Sequence, residues 1–352
     1  MNVIPPLAIN STRLTSSTVP ETAPAAYAGG TTYALDATAS VAGAAGLITV
    51  YKSLAGSNTG HTPASSPTWW AAIGDTYQLY AGGTTYALGD RVLDATNHLV
   101  YESLAGSNLG NALTDVTKWL PLGASNRYAM FDLIRDTATS VPSPLTVVLA
   151  PGQRINSLAL MGLVATGAVI TGVSGATTVC SRTIDLNTRE VLDWYDYYFA
   201  LFSNQPSVVL FDLPPYSDLV LTITLTNTGG NVECAACVIG SFEYIGDVQA
   251  EAESDVLNFS AVTRDFAGNT SVMVQRRNVP RTVQNIVVDK DRVNRVRALR
   301  SALAGMPAVW SGVLNDTDGY FESMLIVGFY KRFTLNLKNQ SFAVASLELE
   351  EI

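Results

Sequence analysis

The sequence predicts a mainly β protein: two small repeated β modules, then a β-sandwich, then a C-terminal β-rich unit with one α-helix. Three observations predict it. Residues 27–74 and 80–123 are copies of one another. The stretch after Asn126 alternates apolar and polar residues in short runs broken by Pro and Gly, the period of half-buried antiparallel strands. One segment, near 291–304, carries apolar residues at helical spacing between a candidate cap and a Gly-x-Pro stop. The expected units are an extended arm at 1–26, modules at 27–74 and 75–123, the sandwich at 124–250 and the C-terminal unit at 251–352.

The arm holds Pro5, Pro6, Pro20 and Pro24 among Ser, Thr and Ala, a composition that favours an extended path. Such an arm is disordered unless a partner surface or a neighbouring copy ties it down, so it is a first hint of assembly.

In the repeat, Tyr27 matches Tyr80, Tyr33 matches Tyr86, Tyr51 matches Tyr101, and Trp70 and Gly74 match Trp119 and Gly123. The run SLAGSN at 53–58 recurs letter for letter at 103–108. Each copy is too short to bury a large core, so its Tyr and Trp residues must do much of the packing. In the second copy Gly89-Asp90 reads as a turn, 91–93 as a strand, 96–98 as a turn and 99–104 as a strand. The first copy has Asp36-Ala37 at the turn position and an Ala/Gly-rich insertion, AGAAG.

The pattern Y-x-x-G-x-x-Y-x-x-G-D-x-V, followed by V-Y-E-S-L and a closing Trp, resembles the family 5/12 carbohydrate-binding modules found beside chitin-degrading domains and in phage tail proteins. The resemblance implies a small three-stranded fold whose exposed aromatics stack on sugar rings, since a flat apolar ring face matches the C–H face of a pyranose. Tyr51, Trp69, Trp70, Tyr101 and Trp119 are the carbohydrate-binding candidates. Trp70 and Trp119 also read as core residues that close each module.

Within the sandwich, strands are expected at 145–149, 157–163, 168–173, 207–212, 218–227 and 232–244. Pro214-Pro215 and Gly229-Gly230 serve as turns. The run VLDWYDYYFALF at 191–202 reads as a strand-like edge of the core plugged by large rings. The NRYAMFD opening, LAPGQRINSLALMGL, WYDYYF, VLFDLPPYSDLVLTITL and CVIGSFEYIGD together resemble the shared body of a family of bacteriophage tail proteins. That likeness implies a virion tail-tip or baseplate component. Distal tail protein, baseplate spike component and receptor-binding appendage all stay open.

In the last unit, residues 254–274 read as two strands around a turn at 265–268. The helix follows: Asp289 or Asp291 would cap it, Val293, Val296, Leu299 and Leu303 fall on one face, and Gly305 then Pro307 stop it. Its other face, with Arg276, Arg277, Arg281, Arg292, Arg295, Arg297 and Arg300, makes a basic patch in an acidic chain. That patch is the candidate subunit interface, because complementary charge fixes register between copies. Strands near 323–328, 331–337 and 341–349 end the chain.

Composition narrows the function. A net charge of −9 argues against nucleic acid as a partner, since phosphate binding needs a basic surface. The most apolar stretch, 158–173, is broken by three glycines and two threonines and is no membrane helix, so no membrane insertion is expected. The start lacks a basic segment followed by an apolar core, so no secretory signal is expected.

Three cysteines cannot close a disulfide framework, and Cys234 and Cys237 read as buried thiols. Only two histidines exist, His61 and His98. No nucleophile elbow, zinc-protease motif or phosphate loop occurs. Asp193 with Asp196 is the one glycosidase-like carboxylate pair, and Asn315, Asp316 and Asp318 form an incomplete calcium-loop pattern. No catalytic residue, metal or cofactor is therefore expected.

The expectation is a non-enzymatic homo-oligomeric ring or cap at a phage tail tip or baseplate. It would contact other tail proteins, with its modules touching host-surface polysaccharide. A carbohydrate-active enzyme or its substrate-targeting subunit, and a capsid decoration protein, are the alternatives.

Overall fold

The computed structural model describes residues 1–188, 191, 193–276, 278–314, 319–337 and 339–352. Arg277 and the candidate calcium residues Asn315, Asp316 and Asp318 lie outside the described residues.

The chain is mainly β. Its body is a stack of layers, readable from the alternation of side chains along the central strands. Ser157–Met161 is buried along its whole length: Leu158 and Leu160 face one core, while Ala159 and Met161 face another. Ala236–Gly240 behaves the same way, with Cys237 and Ile239 on one side and Ala236 and Val238 on the other. With Ser207–Leu210 these two form a three-stranded middle sheet, covered on both faces.

On one side lies a five-stranded sheet in the order Thr177–Asp185, Gly167–Ser174, Val220–Thr226, Leu145–Leu149, Leu14–Ser17. On the other lies an eight-stranded antiparallel sheet that contains the long strands Asn278–Asp289, Leu325–Asn336 and Phe342–Glu351. The predicted units at 124–250 and 251–352 thus share a core, in which Ile4, Met161, Val209 and Val238 pack with Val309, Phe321 and Val327.

The far face of the eight-stranded sheet is covered by a helix, Val293–Ala302. Its predicted apolar face is the one used: Val296 and Leu303 are buried against Trp310, Ile326 and Leu347, with Val293 and Leu299 at the margin. Gly305 at φ 72° ends it. The predicted Asp cap is absent, since neither the short 3-10 turn Lys290–Arg292 nor the helix carries a side-chain cap hydrogen bond.

The arm differs from expectation. It is tied down by its own chain, and its value as a hint of assembly falls away. Asn2–Ile4 is an interior strand of the eight-stranded sheet, between Glu243–Tyr244 and Ala308–Ser311. Leu14–Ser17 then edges the five-stranded sheet beside Leu145–Leu149. Burial of Val3, Ile4 and Leu14 drives both placements.

The segment 191–202 also differs. Trp194–Phe199 is a short helix, capped by Asp193, whose carboxylate accepts from the Asp196 N–H at 2.9 Å. It plugs nothing. It stands on a two-stranded stalk, Asn187–Thr188 paired with Ser203–Asn204, and its rings are exposed.

Candidate functional site

The two modules form one lobe. Thr38–Ala42, Leu47–Ser53 and Trp70–Leu79 make the first three-stranded sheet, and Arg91–Asp94, Leu99–Ser103 and Trp119–Ala124 the second. A parallel pairing of Gln78 and Leu79 with Val92 and Leu93 joins them into six strands. The Ala/Gly insertion makes a second weld. Arg91 donates its N–H to Ala45 O at 3.0 Å, and Gly46, at φ 77°, sits so near Arg91 O that a Cβ would meet it at 2.2 Å.

Inside each module the repeat is a repeated physical device. Tyr27, Tyr33 and Trp70 pack with centroids 4.9–5.9 Å apart, and Tyr80, Tyr86 and Trp119 do so at 5.2–6.1 Å. Asn58 donates to the Ser53 hydroxyl and Trp69 O, as Asn108 does to Ser103 and Lys118 O. The indole N–H of Trp70 is given to His61 O and that of Trp119 to Asn111 O. The turn survives the loss of Gly-Asp in the first copy: Asp36 takes φ 65° where Gly89 takes 85°, and each donates its N–H at 2.9 Å to the serine that opens SLAGSN.

This geometry sorts the carbohydrate-binding candidates. Trp70 and Trp119 are 2 % and 1 % exposed, so neither ring face is open to a sugar; they are module cores, and their place in the binding set is corrected. Tyr101 and Tyr51 are half-buried, Tyr101 against the Tyr86/Trp119 core. Trp69 is half-buried and stacks on His61 at 3.8 Å and 10°. The second copy has Lys118 and Asn111 at those positions, so the copies share a core but differ on the surface.

A cleft of about 500 Å³, lined by both polar and apolar residues, opens where the first module meets the body. Thr49, Asp75 and Tyr77 line it from the module, and Asn126, Ser140 and Asn231 from the sandwich edge. A phenol ring beside hydroxyl, amide and carboxylate groups can stack on a sugar and bond its hydroxyls. These residues come from separate parts of the chain and share no sequence pattern.

The lobe is held to the body by Glu21. Its carboxylate lies 2.6 Å from His98 Nδ1 and accepts from the Ser125 hydroxyl at 3.2 Å, while His98 stacks on Tyr128. Gly74 approaches closely as well: a Cβ there would meet Pro20 at 3.0 Å and Val141 at 3.2 Å.

Several arginines of the basic patch pair within the chain while staying partly exposed. Arg281 pairs with Glu348 at 2.7 Å, and Arg295 with Glu243 at 2.6 Å. Arg292 lies 3.9 Å from Asp289 and over the Tyr244 ring, and Arg300 donates to Phe333 O. Arg276 and Arg297 are exposed.

Asp193 and Asp196 sit in the cap of the short helix. Cys180, Cys234 and Cys237 are buried free thiols, and burial pushes Cys234 up to about 12 and Cys237 well above its ordinary value. Among the described residues no group of three or more His, Cys, Asp or Glu is disposed to hold a metal ion, and no helix is long and apolar enough to cross a membrane. No protein-family model matches this chain, and no curated protein matches it.

Proposed function

We propose that this chain is a structural component of a bacteriophage tail tip or baseplate, built as a homo-oligomer, whose module lobe touches host-surface polysaccharide. The observation that carries the reading is the lobe itself. Two aromatic-cored repeats, resembling carbohydrate-binding modules, are joined edge to edge and held by Glu21 beside a cleft of mixed polar and apolar lining.

Trp69 and the cleft residue Tyr77 are the rings proposed to meet sugar. Each site would bind weakly, and many copies on one particle would raise avidity by about 10² to 10⁴ without a new contact.

The test is a particle lacking residues 27–123, alongside Trp69→Ala and Tyr77→Ala in the full chain. Particles without the lobe should assemble and adsorb at least tenfold more slowly, and each alanine variant should weaken binding to extracted host polysaccharide. Failure of the deleted particle to assemble would make the lobe an assembly element. Purified particles devoid of this chain would overturn the virion reading altogether.

A further inference from the structure

We propose that the stalked aromatic helix is the contact by which one copy of this chain docks on the next. The finger rises from the strand Thr177–Asp185 on the two-residue pairing of Asn187–Thr188 with Ser203–Asn204. Its rings pack on one another: Tyr195 with Phe199 at 5.0 Å, Tyr197 with Tyr198 at 5.1 Å and Trp194 with Tyr197 at 6.0 Å. Six rings in 194–202 are exposed by 51–77 %, and Leu201 by 89 %.

The area decides what kind of occupant this is. An aromatic side chain carries about 150–250 Å² of surface, so six rings exposed to this degree leave on the order of 800 Å² open. The largest apolar patch of an ordinary monomer is about 300–600 Å². A stable protein interface buries about 800 Å² per partner. The finger alone therefore matches one side of such an interface.

A second copy fits better than a lipid surface. Segments that settle at a bilayer interface set Lys and Arg beside their aromatics. Between the two stalk strands the sequence carries one basic residue, Arg189, against three acids, Glu190, Asp193 and Asp196.

The same chain also offers a receiving hollow. An apolar pocket of about 240 Å³ lies between the arm and the middle sheet, lined by Leu7, Ile9, Phe131, Leu133 and Met306. It has room for one ring, and Trp194, 77 % exposed, is the ring assigned to it. Finger and hollow are different surfaces, so the contact is head-to-tail, the kind that closes into a ring when the rotation allows.

The inference rests on the homo-oligomeric part of the proposed function and not on its glycan part. Sedimentation velocity of the full chain tests it, together with the double variant Trp194→Ser/Leu201→Ser. Neither residue belongs to a core, so the variant should keep the wild-type melting temperature.

The wild type should associate, and the variant should associate at least about 30-fold more weakly, the loss typical of a truncated anchor ring. Trp194→Cys mixed with Met306→Cys should give an interchain disulfide. A variant that assembles like the wild type would overturn the finger contact while leaving the oligomer standing. A wild type that stays monomeric at about 50 µM would sink both, since contacts of this area hold well below that concentration. Monomers that co-sediment with phosphatidylcholine vesicles would overturn the second copy in favour of a lipid surface.

Discussion

Replacing Trp119 with alanine should unfold the second module while leaving the body folded. The indole is 1 % exposed, lies 5.7 and 5.2 Å from the Tyr80 and Tyr86 rings, and gives its N–H to Asn111 O at 3.0 Å. Truncating a buried Trp costs about 3–5 kcal/mol, through lost burial and the cavity left behind. The core around it is small, Tyr86 and Val92 with Tyr80, Tyr101 and Leu113 packed at its edge, so few side chains are at hand to close that cavity. Trp119→Phe keeps a ring and loses the hydrogen bond, and should cost about 1–2 kcal/mol beyond the smaller ring's lost area.

The assay is amide hydrogen exchange read by mass spectrometry, comparing residues 80–124 with residues 140–240. Trp119→Ala should raise exchange across 80–124 by at least about 100-fold and leave the sandwich protected, as local unfolding predicts. Trp70→Ala should do the same to 27–79 with a loss within about 1 kcal/mol of its counterpart, because the two ring triads superpose in their distances. Unchanged exchange in 80–124 would refute the triad as the module core. Equal loss of protection in the sandwich would refute the lobe as a separate cooperative unit.

Gly89→Ala should cost about 1 kcal/mol, because φ 85° strains a side chain, while Asp36→Gly should be neutral or stabilising by up to about 1 kcal/mol; urea titration reads both. Gly46→Ala drives a Cβ onto Arg91 O and should free the modules to move relative to each other, seen as increased exchange at 91–94. Glu21→Ala leaves the His98 contact and the Ser125 hydroxyl without their shared partner and should cost about 1–3 kcal/mol, with added breadth in small-angle scattering as the lobe loosens. The Cys234 thiol, raised by burial to about 12, holds its proton in the fold where the unfolded chain has lost it. Its contribution is therefore full below about pH 9 and lost as pH rises toward 12, so stability should fall across that window and no native thiol should react with a disulfide reagent at pH 8.

Where an element's cause is local, the sequence showed it. The strand Leu145–Leu149 follows from a short β-branched apolar run whose burial alternates, the α-helix Val293–Ala302 from its 3.6-residue apolar face, and the hairpin turn at Gly268 from a Gly that takes φ 88°. The repeat showed the module core, since both copies keep the same Tyr, Tyr, Trp, Ser and Asn. What stayed hidden has a non-local cause. Asn2–Ile4 pairs with residues about 240 and 305 positions away, and no period in a three-residue strand reveals that.

The run WYDYYF departs from its strand-like pattern for a different reason. Aromatic residues favour strands and cores on average, but that preference is for a half-buried surface and not for the backbone state itself. Here Asp193 caps the segment into a helix, and its rings stay exposed.

The cleft and the Glu21 contact belong to a third class, because they exist only once the lobe is set against the body. That placement follows from topology. The arm contributes one strand to each outer sheet of the body before the modules begin, and the chain returns to the body just after them at Ser125. The lobe is thus an insertion between two pieces of one body, and Glu21, before it, bonds Ser125, behind it.

An insertion whose two ends already touch can be removed without opening a gap, which is why domain insertions succeed at such points. The strands Asn2–Ile4 and Leu14–Ser17 should therefore keep their places when 27–123 are deleted, and the deleted chain should melt within a few degrees of the full-length body. A deleted chain that fails to fold would mean that the arm is held in its sheets by the lobe, and the order of dependence would run the other way.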